Sequence, residues 1–175
     1  MVKETVEKAI INQIKNEEHS SRLYLAMASW CQVNGYPGAA EFLYKQADEE
    51  RMHMLKFFHY LNDRVGYSNL LALDNPTAQY GSLLDVFEKV MKHEEFITES
   101  INYLYEVAVS NKDYTTGNFL QWFINEQIEE ESTMHGILDK MKLAGNEAGG
   151  LFLIDKDLSA MAAAKVITSL TGARA

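Results

Sequence analysis

Six polar side chains stand within stretches that are otherwise apolar at helical spacing. They comprise four glutamates, one histidine and one glutamine: Glu17, Glu50, His53, Glu94, Gln127 and Glu130. A carboxylate that is buried without a partner costs several kcal/mol, so acids on a core-facing stripe require a group that compensates them. Oxygen ligands combined with one imidazole suit a hard, redox-active cation, and the set therefore predicts a site for iron or manganese.

A spacing of 77 residues relates the two halves of this set. It separates Glu17 from Glu94, Glu50 from Gln127, and His53 from Glu130. Each half has a lone acid followed, 33 residues later, by a pair of residues three apart, and such a pair shares one face of a helix. Taken singly, each residue is better explained as part of a solvated or packed face. The shared spacing predicts two half-sites of a di-metal centre in the middle of a helical bundle.

Long stretches without a helix breaker must position these side chains, because the chain has only two prolines, Pro37 and Pro76. The apolar spacing predicts four long helices and a short, alanine-rich fifth. Their expected spans are about 3–33, 39–65, from the Ser82 cap to the break at Ser110, 115–144 and 155–170. No alternating strand pattern is found, so the predicted fold is all-α.

One long connection sets the predicted topology. About fifteen residues, 67–81, join the second helix to the third and can reach roughly 50 Å. A helix of about 28 residues is about 42 Å long, so this connection can cross the bundle from end to end. The short links elsewhere make neighbouring helices antiparallel. We expect an antiparallel four-helix bundle with one long crossover over residues 1–145, and a loop with the fifth helix of the same domain over 146–175.

The composition of the chain excludes several classes of function and partner. The 175 residues carry a formal net charge of −9, which favours cations and gives no electrostatic reason to bind nucleic acid. The single cysteine, Cys31, excludes an intrachain disulfide and a cluster held by cysteines alone. There is no run of about 18 apolar residues, and the charged start lacks an apolar leader. We therefore expect a cytoplasmic protein without a membrane partner.

With these residues on the predicted bundle, the sequence resembles the bacterial non-haem ferritins over about residues 4–170. The resemblance implies a ferroxidase centre in which the first iron is held by Glu17, Glu50 and His53. The second iron shares Glu50 as a bridge, and the other residues that the resemblance places around it are Glu94, Gln127 and Glu130.

The resemblance also assigns residues beyond the two iron positions. Tyr24 matches the tyrosine beside the ferroxidase centre, and we expect Tyr24 and Glu50 to take part in the reaction. The acids that match a nearby third iron site are Glu49, Glu126 and Glu129. By themselves these acids look like a charged surface face, so the third site rests on the resemblance. His19 and His93 are expected to be structural or exposed.

Haem is not expected. Haem-binding relatives carry Glu-x-x-His on two helices, whereas here the fourth helix reads Gln127-x-x-Glu130. In those relatives the haem methionine directly follows the bridging glutamate, and here Arg51 occupies that place with Met52 one position later. The stretch 113–118 is also poor in acids, unlike the three-fold channel of animal ferritins, so the route of iron entry does not carry over.

The resemblance implies an iron-storage protein with ferroxidase activity. It would oxidise Fe(II) with O2 and hold the Fe(III) mineral inside a homo-oligomeric cage, a 24-mer. Two alternatives stay open from the residues alone. A non-storage di-iron oxidase or oxygenase could use the same bundle, although it usually has two histidines at its centre. A metal-free signalling or scaffold bundle is the other, although cytokine bundles have two long crossovers.

Overall fold

The architecture is that of a computed structural model, which describes residues 2–76, 79–145 and 147–171, with side chains in the last helix up to residue 164. Within these ranges the chain forms five helices and no strand, so the all-α prediction is confirmed. The helices are α1 Glu4–Val33, α2 Pro37–Asp63, α3 Leu83–Ser110, α4 Tyr114–Ala144 and α5 Ala148–Thr171. None of the described helices is both long enough and apolar enough to cross a membrane.

Three of these helices, α2, α3 and α4, begin at residues that favour a helix start. Pro37 occupies the first turn of α2, where its missing N–H is not needed. The Ser82 hydroxyl caps α3 by accepting the Asp85 N–H at 3.1 Å, and the Asp85 carboxylate reaches back to accept the Gly81 N–H at 2.8 Å, one residue before the N–H that a capping box uses. Asp113 likewise caps α4 by accepting the Thr116 N–H at 3.1 Å.

The four long helices run antiparallel to their neighbours, as expected. Contacts between the start of α1 and the α3–α4 turn fix one end of the bundle, where the Lys3 ammonium donates to the Asn111 carbonyl at 2.6 Å. At the same end Arg64, just after α2, pairs with Asp113 at 3.1 Å. These contacts place the end of α2 beside the start of α4.

The crossover between α2 and α3 spans the length of the bundle. Near its start, the Tyr67 N–H donates to Glu7 in the first turn of α1 at 2.8 Å. Near its end, Tyr80 packs edge-on against Trp30 in the last turns of α1, with the ring centroids 5.8 Å apart. Thr77, which the sequence places in the middle of this connection, lies outside the described residues.

The bundle core consists of two hydrophobic clusters with a polar layer between them. One cluster includes Phe42 and Phe87, and the other includes Phe57 and Phe123. The buried polar side chains that lie between the clusters, called the polar layer below, are Gln13, Glu17, Ser20, Ser21, Gln46, Glu50, His53, Glu94, Gln127 and Glu130. The apolar clusters hold the helices together, so the polar layer between them can carry side chains that bind a ligand.

The start of α5 differs from the prediction. The helix begins at Ala148, not at Asp155, and residues 149 and 150 lie inside it. Two consecutive glycines disfavour a helix before residue 155, but they cost only about 1 kcal/mol each. Docking outweighs this cost, because Asp155 accepts hydrogen bonds from the N–H groups of Gly38 and Ala39 at 3.1 and 2.8 Å. The expected domain segment 146–175 extends past the described residues at its end.

Candidate metal centre

The structure brings all six sequence-predicted side chains into the polar layer. Each of the four long helices contributes at least one of them, and each is at most 7% exposed. The first half-site consists of Glu17 on α1 with Glu50 and His53 on α2. The second half-site consists of Glu94 on α3 with Gln127 and Glu130 on α4.

The first half-site is arranged as a cation site. Glu17, Glu50 and His53 each offer one donor atom, and these atoms lie within 4.8 Å of one another. Nδ1 of His53 lies 3.7 Å from Oε2 of Glu50. Oε2 of Glu17 and Oε2 of Glu50 are buried and have no hydrogen-bond partner among the described residues. Buried polar atoms are normally satisfied, so two orphaned carboxylate oxygens beside an imidazole indicate a ligand that is positively charged.

The pKa shifts in the first half-site also indicate that a cation binds there. Burial, followed by the charge of Glu50, raises the pKa of Glu17 well above its ordinary value. Burial, followed by the charge of Glu94, raises the pKa of Glu50 in the same direction. Both acids are therefore disfavoured as anions unless a cation enters, since an opposite charge favours the ionised form.

The second half-site is held by hydrogen bonds instead. The Tyr24 hydroxyl donates to Oε1 of Glu94, and Nε2 of Gln127 donates to Oε2 of Glu94 at 3.2 Å. Oε2 of Glu130 accepts from Nε2 of Gln46 at 2.8 Å. Burial, followed by the charge of Glu130, raises the pKa of Glu94 to about 7. Both oxygens of Glu94 are thus engaged, in contrast to the orphaned oxygens of the first half-site.

Tyr24, which the resemblance assigns to a place beside the iron positions, contacts the second half-site. Its side chain is fully buried, and burial, followed by the charge of Glu94, raises the pKa of the phenol well above its ordinary value. The phenol therefore keeps its proton and donates a hydrogen bond to Glu94. Its ring packs edge-on against His93 with centroids 5.8 Å apart, and the Ser20 hydroxyl lies 2.8 Å from Nε2 of His93. Burial lowers the pKa of His93 to about 4, so this histidine is neutral near pH 7.

The three acids predicted for a third iron site lie at the edge of the layer. Glu49 and Glu126 are half-buried, and Glu129 is exposed. Burial raises the pKa of Glu126, His53 lowers it, and the charges of Glu129, Glu130 and Glu49 raise it further. The charges of Glu49 and Glu129 therefore affect the ionisation of Glu126. Among the described residues, however, only the first half-site brings three donor atoms within 4.8 Å of one another.

Sequence reasoning missed two glutamines of the polar layer. Gln13 donates to Oε1 of Glu17 at 2.8 Å, and Gln46 donates across the bundle to Glu130. A usable signal was present: each glutamine precedes an acid of the first half-site by four residues, Glu17 and Glu50 respectively, so it shares that acid's helix face.

A four-helix bundle that buries a histidine and four acids between two apolar clusters belongs to the class of carboxylate metal-binding bundles. Comparisons with known proteins narrow this class. The family model described as "Ferritin-like domain" matches residues 7–144. The chain belongs to the ferritin family, and iron storage is the function that the family and the site together support.

Individual relatives agree with this assignment. The bacterial non-heme ferritin of Campylobacter jejuni is 46% identical over 89% of this chain and 93% of its own length. That of Escherichia coli is 42% identical over 92% of this chain and 98% of its own length. Among solved structures, an open pore ferritin from Archaeoglobus fulgidus superimposes with a TM-score of 0.89 at 38% identity, covering 91% of this chain and 98% of that one.

Proposed function

We propose that this chain is a ferroxidase subunit of an iron-storage cage, which oxidises Fe(II) with O2 between its four helices and passes Fe(III) to a stored mineral. The observation that carries the proposal is the pair of orphaned carboxylate oxygens on Glu17 and Glu50 beside His53. Iron is the substrate of this site. Its binding would supply the positive charge that the buried acids lack.

The proposed ligands follow the two half-sites. Glu17, Glu50 and His53 would hold the first iron, and Glu50 would bridge to a second iron held with Glu94 and Glu130, with Gln127 close by. Anionic oxygen ligands stabilise Fe(III) more than Fe(II), so this environment favours oxidation. Each Fe(II) would give one electron to O2, and the two electrons, with two protons from water, would reduce it to hydrogen peroxide.

The hydrogen bonds favour an order of binding. The first position offers free oxygens, whereas at the second position both oxygens of Glu94 already accept a hydrogen bond, so a metal there would share each oxygen with a donor. We therefore expect the second iron to be held less tightly and to leave more readily. Tyr24, which keeps its proton, would donate a hydrogen bond to Glu94 both before and after the metals bind.

A third iron position is proposed at the outer acids Glu49, Glu126 and Glu129. Their support is that each lies on α2 or α4 next to a half-site residue, and that Glu126 responds to the charges of both others. Such a position would be more accessible than the other two, because Glu129 is exposed. It would suit iron in transit between the centre and the mineral.

The cage is proposed because the relatives of this chain are ferritins. We propose a homo-oligomer of 24 chains in the cytoplasm, without haem. The assembly supplies the cavity that a single bundle lacks. A net charge of −9 on each chain makes such a shell attractive to cations.

Aerobic loading distinguishes storage from the alternative, a non-storage di-iron oxidase on the same bundle. The assembled protein is given excess Fe(II) in air, and the iron retained after desalting is measured together with the rate of Fe(III) formation. Storage predicts hundreds of irons per particle, whereas an oxidase retains about two per chain. Glu50→Ala, which removes the bridge, should slow oxidation strongly, and an unchanged rate would contradict the proposed centre.

A further inference from the structure

The side-chain amide of Gln127 lies against three acceptors on α3. Its Nε2 atom is 3.3 Å from the backbone carbonyl of Glu94, 3.2 Å from Oε2 of Glu94 and 3.2 Å from Oγ1 of Thr98. If the amide were turned over, its oxygen would face two carbonyl-type oxygens of Glu94 without a hydrogen atom between them. The surroundings therefore require the nitrogen, which has two N–H groups, to point at α3.

The direction of the Thr98 hydroxyl decides whether Thr98 supports this orientation. A threonine in a helix commonly donates to the carbonyl four residues earlier, which here belongs to Glu94. Instead, Thr98 donates to Oε1 of Glu131 on α4 at 2.5 Å. With its proton committed to Glu131, the hydroxyl oxygen presents a lone pair to Gln127, and the Glu94 carbonyl remains available to the same amide.

We propose that Thr98 and Glu131 are positioning residues for the second metal position: they fix the Gln127 amide as a hydrogen-bond donor, which holds Glu94 in its metal-binding orientation. This inference rests on the proposed function, because it takes the second half-site to bind metal. Neither residue lies in the ligand set. Glu131 is half-buried beside a groove between α3 and α4 of about 170 Å³, which Gln127 and Thr98 also line.

A second hydroxyl on α3 supplies a matched comparison. Ser100, two residues after Thr98, faces α1, where its hydroxyl lies 2.9 Å from Oε1 of Gln13. Gln13 in turn donates to Glu17 of the first half-site. Removing either hydroxyl takes one polar atom from the same helix, but only Thr98 is connected to Glu94 through Gln127.

The test is an anaerobic titration of the assembled, metal-free protein with Co(II), which binds such ligands without being oxidised and whose visible absorption reports its ligand geometry. Thr98→Val removes the hydroxyl at nearly constant volume. We expect it to weaken the second Co(II) about three- to tenfold, the effect of one lost hydrogen bond, and to alter the absorption of that ion. The first Co(II) should bind as in the unmodified protein. Glu131→Ala, at a partly exposed position, should reproduce this pattern.

Two further variants separate positioning from general damage. Thr98→Ser keeps the hydroxyl and should restore the second affinity to within about twofold. Ser100→Ala should leave the second position unchanged. The inference is overturned if Thr98→Val leaves the second Co(II) unaltered, weakens both ions equally, or is matched by Thr98→Ser or Ser100→Ala. Failure of the unmodified protein to bind two Co(II) ions per chain would instead contradict the proposed function.

Discussion

At the scale of single residues, the same side-chain type serves two purposes in one polar layer. Glu94 has both oxygens occupied by donors, whereas Glu17 and Glu50 each keep a buried oxygen without a partner. An unpaired buried oxygen destabilises the metal-free fold, and the same oxygen becomes a ligand when a cation arrives. At Glu17, the free oxygen that favours metal binding therefore lowers the stability of the metal-free fold. At Glu94, the hydrogen bonds serve both the stability of the fold and the binding of metal.

This opposition predicts the effect of Glu17→Gln. The amide oxygen can still accept the hydrogen bond from Gln13, and the new N–H groups can donate to the orphaned oxygen of Glu50 nearby. We expect the metal-free variant to be more stable by about 1 kcal/mol, and its affinity for the first divalent ion to fall at least about tenfold as a charged ligand is lost. Chemical unfolding in the presence of a chelator and calorimetric titration with Zn(II) measure the two quantities. A variant that is less stable yet binds Zn(II) normally would contradict the account.

The raised pKa values of Glu17 and Glu50 predict how stability changes with pH. Above their ordinary pKa of 4.5, the folded protein holds protons on these carboxyls more strongly than the unfolded chain does. Raising the pH from about 4.5 to about 8 should therefore lower the contribution that the two carboxyls make to the free energy of unfolding of the metal-free protein. His93 acts in the opposite direction at the lower end of this interval, because its pKa is lowered from 6.5 to about 4 on folding and the unfolded chain binds protons there that the folded protein does not. Unfolding midpoints across the interval are measured for the unmodified protein and for Glu17→Gln, and the loss of stability with rising pH should be smaller in the variant.

At the scale of elements, the tightest constraint outside the site is where α5 crosses the start of α2. A Cβ atom on Gly38 would lie 1.9 Å from the backbone oxygen of Asp155. The same Asp155 caps the start of α2 through its carboxylate. The small residue and the acid together allow α5 to pack closely against the first turn of α2.

Gly38→Ala should therefore destabilise the protein by several kcal/mol, because one backbone must move away from the other and the cap is lost with it. Gly136→Ala is the matched control, since a Cβ at this exposed site within α4 meets nothing within 4 Å. That substitution should stabilise the protein by about 0.5–1 kcal/mol through helix propensity. Thermal unfolding of the two variants measures both effects, and equal shifts in one direction would contradict the docking contact.

The elements also show what sequence can and cannot predict. The spans of α1 to α4 were predictable because their apolar spacing is long and their breaks are punctuated by Pro37, Gly66 and the Ser82 cap. The start of α5 was not, because it depends on the contact of Asp155 with another helix. The six central residues were found through their 77-residue spacing, whereas the bond from Thr98 to Glu131 joins residues that no spacing pairs.

At the scale of the whole molecule, the start of α5 presents an exposed apolar surface. Phe152 and Leu153, which are consecutive on α5, are 69% and 62% exposed, and Leu143 at the end of α4 is 89% exposed. Clusters of exposed apolar residues mark interaction surfaces in stable proteins. In the proposed cage this surface would be covered by neighbouring chains.

The last prediction concerns this surface. Phe152→Glu combined with Leu153→Glu places two acids on an apolar face of α5, and burying them between chains would cost several kcal/mol per subunit contact. We expect the double variant to elute as small species approaching the single-chain mass of 19.9 kDa, while retaining helical circular dichroism. Lys156→Glu, a change of charge at another exposed position on the same helix, should leave the assembly intact. Light scattering coupled to size-exclusion chromatography measures the mass, and because a site inside one bundle needs no neighbour, the small species should still bind Co(II). An undiminished particle mass in the double variant would show that α5 contributes nothing to assembly through these residues.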